Sequence, residues 1–164
     1  MIEYNRIQPW LLVGTFPESA HEVEMLQRHE GVTAVLNLQT DEDNEEARFF
    51  AEHPETLYAD SGVKLFRVPV RDFDESHLQE RLPECVAVLR RLLDGGHTVY
   101  LHCTAGINRS PTVATAYLHW CLGWGLDSAV KHVEQRRYCS PKVDAIRQAK
   151  WPQETQSSSA PDAS

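Results

Sequence analysis

The chain has 164 residues, of which 41% are hydrophobic, and a formal net charge of −8. This is the usual size of one compact domain, so neither disulfides nor a metal is needed to stabilise it. The acidic balance argues against nucleic-acid binding, which requires a basic stripe. No window reaches the roughly 18 apolar residues that span a membrane, and the first residues lack the pattern of a signal peptide. We therefore expect a soluble, cytoplasmic protein.

Four short segments predict β-strands because they are apolar and rich in β-branched residues. In chain order these are residues 10–14, 32–38, 64–70 and 98–103. Residues 41–60 are acidic and only partly periodic, which predicts a surface insertion with a short helix.

Helical patterns lie between and after these strands. The first, within residues 17–31, has Ser19 as a candidate N-cap and Gly31 as its end. The second, within residues 76–96, begins with a capping-box pattern at Ser76.

Further helices are predicted from the proline after the 98–103 strand onwards. Strands alternating with helices predict an α/β fold with a central, mostly parallel sheet flanked by helices. We expect one domain over residues 1–151 and a disordered polar tail over residues 152–164.

Four cysteines are widely spread, with no CxxC pair and no His/Cys spacing typical of zinc sites. We expect reduced thiols in an intracellular compartment, and no bound metal. The cysteines are Cys85, Cys103, Cys121 and Cys139.

The stretch VYLHCTAGINRSPT, residues 99–112, predicts a strand that delivers Cys103 to a loop, followed by a helix that starts near Arg109. Backbone N–H groups and the positive end of that helix then surround one point, which suits a tetrahedral anion and stabilises a thiolate. We expect the cradle to consist of the backbone amides of Thr104, Ala105, Gly106, Ile107, Asn108 and Arg109.

The side chains around this loop have distinct expected roles. The planar guanidinium of Arg109 can hold two oxygens of a phosphate. Gly106 lies where a Cβ would obstruct the backbone. Ser110 can donate a hydrogen bond to the Cys103 sulfur, and His102 is expected to shape the loop.

The spacing Cys-x5-Arg is a weak signal by itself, because Cys85 and Arg91 also have it. Those two lie within a helical pattern, where six residues correspond to a rotation of about 600 degrees. They therefore point in different directions, and we expect Cys85 to be a core residue.

The stretch HCTAGINRS resembles the HCxxGxxR signature, followed by Ser or Thr, of the cysteine-dependent dual-specificity phosphatases in the protein tyrosine phosphatase superfamily. The resemblance covers about residues 4–150. It implies the fold of that family, no cofactor, and a two-step reaction through a phosphocysteine. It also implies an aspartate acid about thirty residues upstream, for which Asp72 is favoured over Asp74, since Asp74 can equally cap the next helix.

Three flanking stretches, YNRIQPWLLVG, RDFD and SPKVDAIRQA, resemble the plant glucan phosphatases, which remove phosphate from starch-type polysaccharide. That resemblance implies exposed aromatic rings around the pocket that stack on sugars. Tyr4, Phe73 and Tyr138 are the candidates, whereas Trp120 and Trp124 lie on a helix where core positions are more common.

Two residues differ from the glucan-phosphatase pattern: Asn108 replaces a glycine, and Ser140 replaces an aromatic residue. A phosphoprotein substrate, carrying phosphotyrosine, phosphoserine or phosphothreonine, therefore stays open beside phosphorylated glucan. An inactive phosphate-binding module is disfavoured because the cysteine, arginine and acid are all present. A sulfur- or arsenic-transfer enzyme is disfavoured because such enzymes carry the loop near the N-terminus. We expect a monomer that binds neither nucleic acid nor membrane.

Overall fold

A computed structural model describes residues 1–48 and 51–152 of the chain. It has the expected α/β architecture, with one five-stranded sheet in the order β1-β2-β5-β3-β4. The strands are β1 (Tyr4–Gln8), β2 (Leu11–Gly14), β3 (Ala34–Asn37), β4 (Lys64–Arg67) and β5 (Val99–His102). The pairs β2–β5, β5–β3 and β3–β4 are parallel, whereas β1 pairs antiparallel with β2.

The four predicted strands exist, but each is shorter than its apolar segment. The last three residues of the 64–70 segment, for example, leave the sheet and continue as the connection to the next helix. The sequence reading missed β1, because only Ile7 of its five residues is buried. An edge strand of this kind lacks the apolar alternation that marks a buried one.

Helices cover both faces of the sheet, as predicted. They are α1 (Ala20–Glu30), α2 (Asp41–Ala47), α3 (Pro54–Leu57), α4 (Glu75–Asp94), α5 (Arg109–Trp120), α6 (Leu126–Arg136) and α7 (Val143–Gln148). The acidic segment 41–60 thus contributes two short helices rather than one. No helix in the described part of the chain is long and apolar enough to cross a membrane.

Alternation along β5 shows how the sheet separates two cores. Val99 and Leu101 pack with α4, α5, α6 and α7 on one face, whereas Tyr100 packs with α1 and α3 on the other. This is the period of two expected for a strand buried on both faces.

Local capping fixes where the helices begin and end. Ser19 caps α1 by accepting from the N–H of Glu22, and Gly31 ends that helix in the left-handed region, both as predicted. The predicted capping box at Ser76 is wrong, because α4 begins at Glu75 with Asp74 as its N-cap. A carboxylate at this position accepts a backbone N–H at the positive helix end more strongly than a hydroxyl does.

Candidate active site

The predicted strand, loop and helix around Cys103 are confirmed. His102 ends β5, Cys103 opens the loop, and Arg109 is the first residue of α5. The Cys103 side chain is almost fully buried, and its Sγ lies 3.3 Å from the Ser110 Oγ. This contact allows the Ser110 hydroxyl to donate to the Cys103 sulfur.

The peptide carbonyls of residues 104–107 each accept a hydrogen bond from a group outside the loop. Their donors are the Phe16 N–H to Thr104 (3.2 Å), the Arg137 guanidinium to Ala105 (3.1 Å) and Gly106 (2.7 Å), and the Ser140 N–H to Ile107 (2.8 Å). In a trans peptide the N–H points opposite to the C=O. The described residues contain no cis peptide, so the N–H groups of residues 105–108 turn towards the inside of the loop.

Gly106 is required by this geometry. Its φ is +67°, in the left-handed region, and a Cβ there would lie 2.5 Å from the Gly14 carbonyl oxygen and 2.7 Å from an Arg137 nitrogen. The expectation for this glycine is confirmed. The loop packs directly on the last residue of β2 and on Arg137, which follows α6, and a side chain would force it away from both.

His102 supports the loop from within the core. Its Nδ1 lies 2.9 Å from the Cys103 carbonyl oxygen, and since a carbonyl only accepts, Nδ1 carries the hydrogen. Burial, and to a smaller degree the neighbouring Arg109 charge, lower the pKa of His102 to about 4, although the hydrogen bond to the Cys103 carbonyl acts in the opposite direction. The imidazole is therefore neutral near pH 7 and holds the loop rather than exchanging protons.

The Arg109 side chain is 3% exposed, and its guanidinium contacts two carboxylates, a backbone carbonyl and a hydroxyl. Its Nη1 donates to Asp43 Oδ2 at 2.7 Å and to the Val70 carbonyl at 2.8 Å. Its Nη2 lies 3.3 Å from Thr104 Oγ1 and 3.2 Å from Asp72 Oδ2. Its buried Nε has no hydrogen-bond partner among the described residues.

The two candidate acids, Asp72 and Asp74, have different surroundings. Asp72 contacts Arg109, and its Oδ1 accepts the N–H of Phe73 at 3.1 Å. Asp74 accepts the His77 N–H at 2.9 Å as cap of α4 and pairs with Arg71 at 3.0 Å. The His77 N–H, and after it Arg71, lower the pKa of Asp74. Asp74 is thus held as a carboxylate that serves the helix.

A cavity of about 220 Å³ opens beside the loop. Asn108 and Arg109 form its loop side, Asp72 and Phe73 face them, and Lys142 adds a positive charge from the segment before α7. Three basic side chains, Arg71, Arg109 and Lys142, line this cavity together with three acidic ones, Asp72, Asp74 and Glu75, so its positive charge is confined to the side formed by Arg109 and Lys142.

Comparison with known proteins agrees with this geometry. Residues 14–150 match the family model described as dual specificity phosphatase, catalytic domain. The chain belongs to this family. The match begins at the last residue of β2 and includes Cys103, Arg109 and both aspartates, whereas β1 precedes it.

Among the relatives in this family is phosphoglucan phosphatase DSP4, amyloplastic, of Castanea sativa, 37% identical over 153 residues, which are 90% of this chain and 40% of that protein. Laforin of Mus musculus is 33% identical over 162 residues, 90% of this chain and 48% of laforin. The chain thus spans less than half the length of either relative.

A solved structure of PTPMT1 superposes with a TM-score of 0.72 at 24% identity, covering 88% of this chain and 90% of that one. At this identity the likeness shows the fold alone. It confirms the single α/β unit with helices on both faces of the sheet.

Of the aromatic candidates, Phe73 and Tyr138 are the most accessible. Phe73 is 95% exposed and has φ of +56°, an unusual backbone conformation for a large side chain. Tyr138 is 89% exposed. Tyr4 is half-buried: its ring lies edge-on to Tyr100, and its hydroxyl donates to Glu30 at 2.9 Å.

The two candidate tryptophans contribute to packing, but the prediction that both lie on a helix is wrong for Trp124, because α5 ends at Trp120 and Trp124 lies in the connection to α6. Trp120 is buried and stacks on Trp151, with ring centroids 5.0 Å apart. Trp124 is half-buried and lies edge-on to His132 at 4.8 Å. The preference for core positions on this helix is confirmed for Trp120.

Sequence reasoning missed three charged residues of the site: Asp43, Arg137 and Lys142. Asp43 lies in the acidic segment that was interpreted as a surface insertion, and a Thr40-x-x-Asp43 capping box was its one local signal. Arg137 follows the exposed Arg136 in sequence but is itself buried. Nothing in the local pattern separates these two arginines.

Proposed function

We propose that this domain is a phosphomonoester hydrolase that acts through a phosphocysteine, with no step that needs a metal. The observation that carries the proposal is the loop between Cys103 and Arg109. Its carbonyls are held outside and its N–H groups turn inward around a buried thiol and a guanidinium. Inward N–H donors and a positive charge match the oxygens of a phosphoryl group as charge develops on them.

The reaction follows from the groups around that loop. The Cys103 thiolate attacks phosphorus, the bond from phosphorus to the leaving oxygen breaks, and protonated Asp72 gives its proton to that oxygen. Water then attacks the phosphocysteine, Asp72 takes a proton from the water, and phosphate leaves as the thiolate is restored. Arg109 and the loop amides bind the phosphoryl oxygens in both steps, and Ser110 stabilises the departing sulfur.

Asp72 is the better acid for this role. Both aspartates line the cavity, but Asp72 has one oxygen 3.2 Å from Arg109, so a phosphate dianion bound to Arg109 would lie close to Asp72. Repulsion between the two negative charges favours the protonated carboxyl that the leaving oxygen needs. Asp74, by contrast, is committed as a carboxylate to the start of α4.

We further propose phosphorylated glucan, of the starch or glycogen type, as the substrate. The relative from Castanea sativa, whose match covers 90% of this chain, is named a phosphoglucan phosphatase. The exposed rings of Phe73 and Tyr138 support this substrate, since flat apolar rings stack on sugar faces. Tyr4 is a weaker candidate because its ring and hydroxyl already have partners within the fold.

Phosphoprotein is the second candidate substrate, and Asn108 favours it. This residue lines the cavity, at a position where the glucan phosphatases carry glycine. In either case we propose that the domain acts as a cytoplasmic monomer.

Phosphate release from amylopectin and glycogen, compared with a panel of phosphopeptides, tests the substrate. Each rate is divided by the rate on an aryl phosphate, so that differences in the chemical step cancel. The glucan proposal predicts that Phe73→Ala and Tyr138→Ala lower the ratio for amylopectin by about 10-fold each while the aryl phosphate rate is kept.

Trp10→Ala is the matched control for Phe73→Ala, because Trp10 is an exposed aromatic residue, 62% accessible, that does not line the cavity, whereas Phe73 does. It should leave every ratio unchanged. A higher normalised rate on phosphopeptides than on amylopectin would favour the protein-phosphatase alternative.

A further inference from the structure

Lys142 differs from the other two basic side chains of the active-site cavity because it has no ionic partner in the described part of the chain. Arg109 contacts two carboxylates, and Arg71 pairs with Asp74 at 3.0 Å. The one hydrogen bond that Lys142 donates there comes from its backbone N–H, so the ammonium has none. Its side chain is half-buried and lines the cavity. A partly desolvated cation without a protein partner gains most from an anionic ligand.

The backbone of Lys142 is fixed relative to the proposed phosphate-binding loop. Its N–H donates to the Thr112 hydroxyl at 2.8 Å, and the same hydroxyl donates to the Asn108 carbonyl at 2.6 Å. Two residues earlier, the Ser140 N–H donates to the Ile107 carbonyl at 2.8 Å. Thr112 is fully buried, so water does not compete for its hydroxyl. The Lys142 side chain therefore starts from a defined position beside the end of the loop.

The scissile phosphoryl group does not need the Lys142 ammonium. The inward N–H groups of residues 105–108, together with the open Nε of Arg109, supply donors for three phosphoryl oxygens. Lys142 belongs to the segment before α7, outside that loop. The cavity of about 220 Å³ thus combines a buried guanidinium, for the group that is transferred, with a separate ammonium, for a charge on the group that leaves.

Acidic side chains elsewhere in the cavity restrict where a second negative charge can bind. Asp72, Asp74 and Glu75 line the cavity with Arg109 and Lys142. An anionic substituent beside any of these carboxylates is repelled, whereas one beside Lys142 is attracted. The charges therefore select both the presence of a second anion and its position relative to the scissile phosphate.

We propose that Lys142 is a specificity-determining residue: its ammonium binds a second anionic group, a phosphate or a carboxylate, on the leaving group of the substrate. This inference rests on the proposed function of the loop and narrows its substrates to monoesters whose leaving group is itself negatively charged. For a phosphorylated glucan, the favoured substrate carries a second phosphate near the scissile one. The ion pair forms in the bound substrate as well as in the transition state, so its loss should raise KM more than it lowers kcat.

Two aryl phosphates of nearly equal size test this: 3-carboxyphenyl phosphate, whose leaving group is charged, and its neutral amide, 3-carbamoylphenyl phosphate. The measured quantity is the ratio of kcat/KM for the acid to kcat/KM for the amide. Lys142→Met keeps the stem of the side chain without its charge, and should lower this ratio by about 3- to 10-fold. Lys142→Glu should lower it further, and Lys142→Arg should keep it near the wild-type value.

A second pair of probes distinguishes a phosphate from a carboxylate as the group that Lys142 binds. Here 1,3-phenylene bisphosphate is compared with phenyl phosphate, and the same variants are measured. A fall of either ratio in Lys142→Met supports the proposal and identifies the preferred anion. If both ratios stay at their wild-type values, the proposal is wrong.

Lys150→Met is the matched control for net charge. Lys150 is an exposed lysine that follows α7 and does not line the cavity. Its loss removes the same charge from the same part of the chain and should leave both ratios within about 2-fold of wild type. An equal fall in Lys150→Met and Lys142→Met would mean that the overall field of the protein, rather than contact with Lys142, sets the preference.

The Cys103→Ser protein makes this proposal and the proposed reaction distinguishable. If Cys103→Ser still turns over phenyl phosphate, the phosphocysteine mechanism fails. The dissociation constants of the acid and the amide for that protein report on Lys142 without any turnover. Adding Lys142→Met should weaken binding of the acid by about 3- to 10-fold more than binding of the amide; equal weakening would contradict the role of Lys142.

Discussion

Two Cys-x5-Arg segments occur in this chain, and only one of them encloses a loop. Cys85 lies in α4, fully buried among apolar side chains, and burial raises the pKa of its thiol to about 12. Its matching Arg91 is exposed. Cys103 and Arg109 have the same spacing, but both are buried and bracket a loop.

The backbone between the two residues makes the difference. In α4 the N–H groups after Cys85 donate to carbonyls four residues earlier, so none remains for a ligand. In the loop after Cys103, other parts of the fold take the carbonyls and leave the N–H groups directed inward. A cysteine and an arginine at this spacing can bind an anion only where the N–H groups between them are not already used in helical hydrogen bonds.

The largest expected effect comes from replacing the Cys103 thiol, and replacing the Cys85 thiol serves as its control. Cys103→Ser should lower kcat for an aryl phosphate by at least about 10³-fold, because a hydroxyl is a far weaker nucleophile than a thiolate. Binding of vanadate or phosphate should persist, since the loop amides and Arg109 are unchanged. Cys85→Ser is the matched control and should keep its turnover; equal losses in both variants would refute the distinction.

The two aspartates provide a second comparison of this kind, because Asp72 contacts Arg109 whereas Asp74 caps α4. Asp72→Asn should lower kcat by about 10²-fold, and less for substrates whose leaving group needs no proton. Asp74→Asn keeps the capping oxygen of α4 and should leave the rate nearly unchanged. Steady-state rates on aryl phosphates of different leaving-group acidity check this. The opposite result would assign the acid to Asp74.

A smaller effect is expected from the adjacent arginines at the end of α6. Arg137 donates to two loop carbonyls and to Asn5 of β1 at 3.0 Å, whereas Arg136 is exposed. Arg137→Gln should weaken phosphate affinity by about 10-fold, because carbonyls released from the guanidinium can turn inward and displace N–H groups. Arg136→Gln removes an equal charge; if it has the same effect, general electrostatics rather than the held loop is responsible.

Much of the fold could be predicted because its signals are local. The buried strands β2, β3 and β5 are short apolar runs, and Ser19 and Gly31 mark the ends of α1. Asp74 displaced Ser76 as the cap of α4 because two capping residues compete within three positions.

The parts of the site that escaped prediction are long-range. Asp43 meets Arg109 across 66 residues of sequence, and Arg137 meets Gly106 across 31. Charged residues are solvated far more often than buried, so a single sequence gives no reason to expect either of them inside. The motif predicted which residues react, whereas the residues that hold them became visible only when the sheet brought their elements together.

The smallest expected effect concerns the other cysteine, Cys85, and it falls on stability rather than on the reaction. Cys85→Ala removes one buried sulfur from the core between α4 and the sheet, which should lower the free energy of unfolding by about 1 kcal/mol. Urea denaturation measures this loss, and kcat/KM should stay within 2-fold of wild type. Near pH 7 the Cys85 thiol is protonated, since its pKa of about 12 lies far above, so alkylating reagents should spare it in the folded protein. Rapid alkylation of Cys85 would contradict its burial in the folded protein, whereas a rate loss beyond the loss of folded protein would mean that the buried helix site is coupled to the loop.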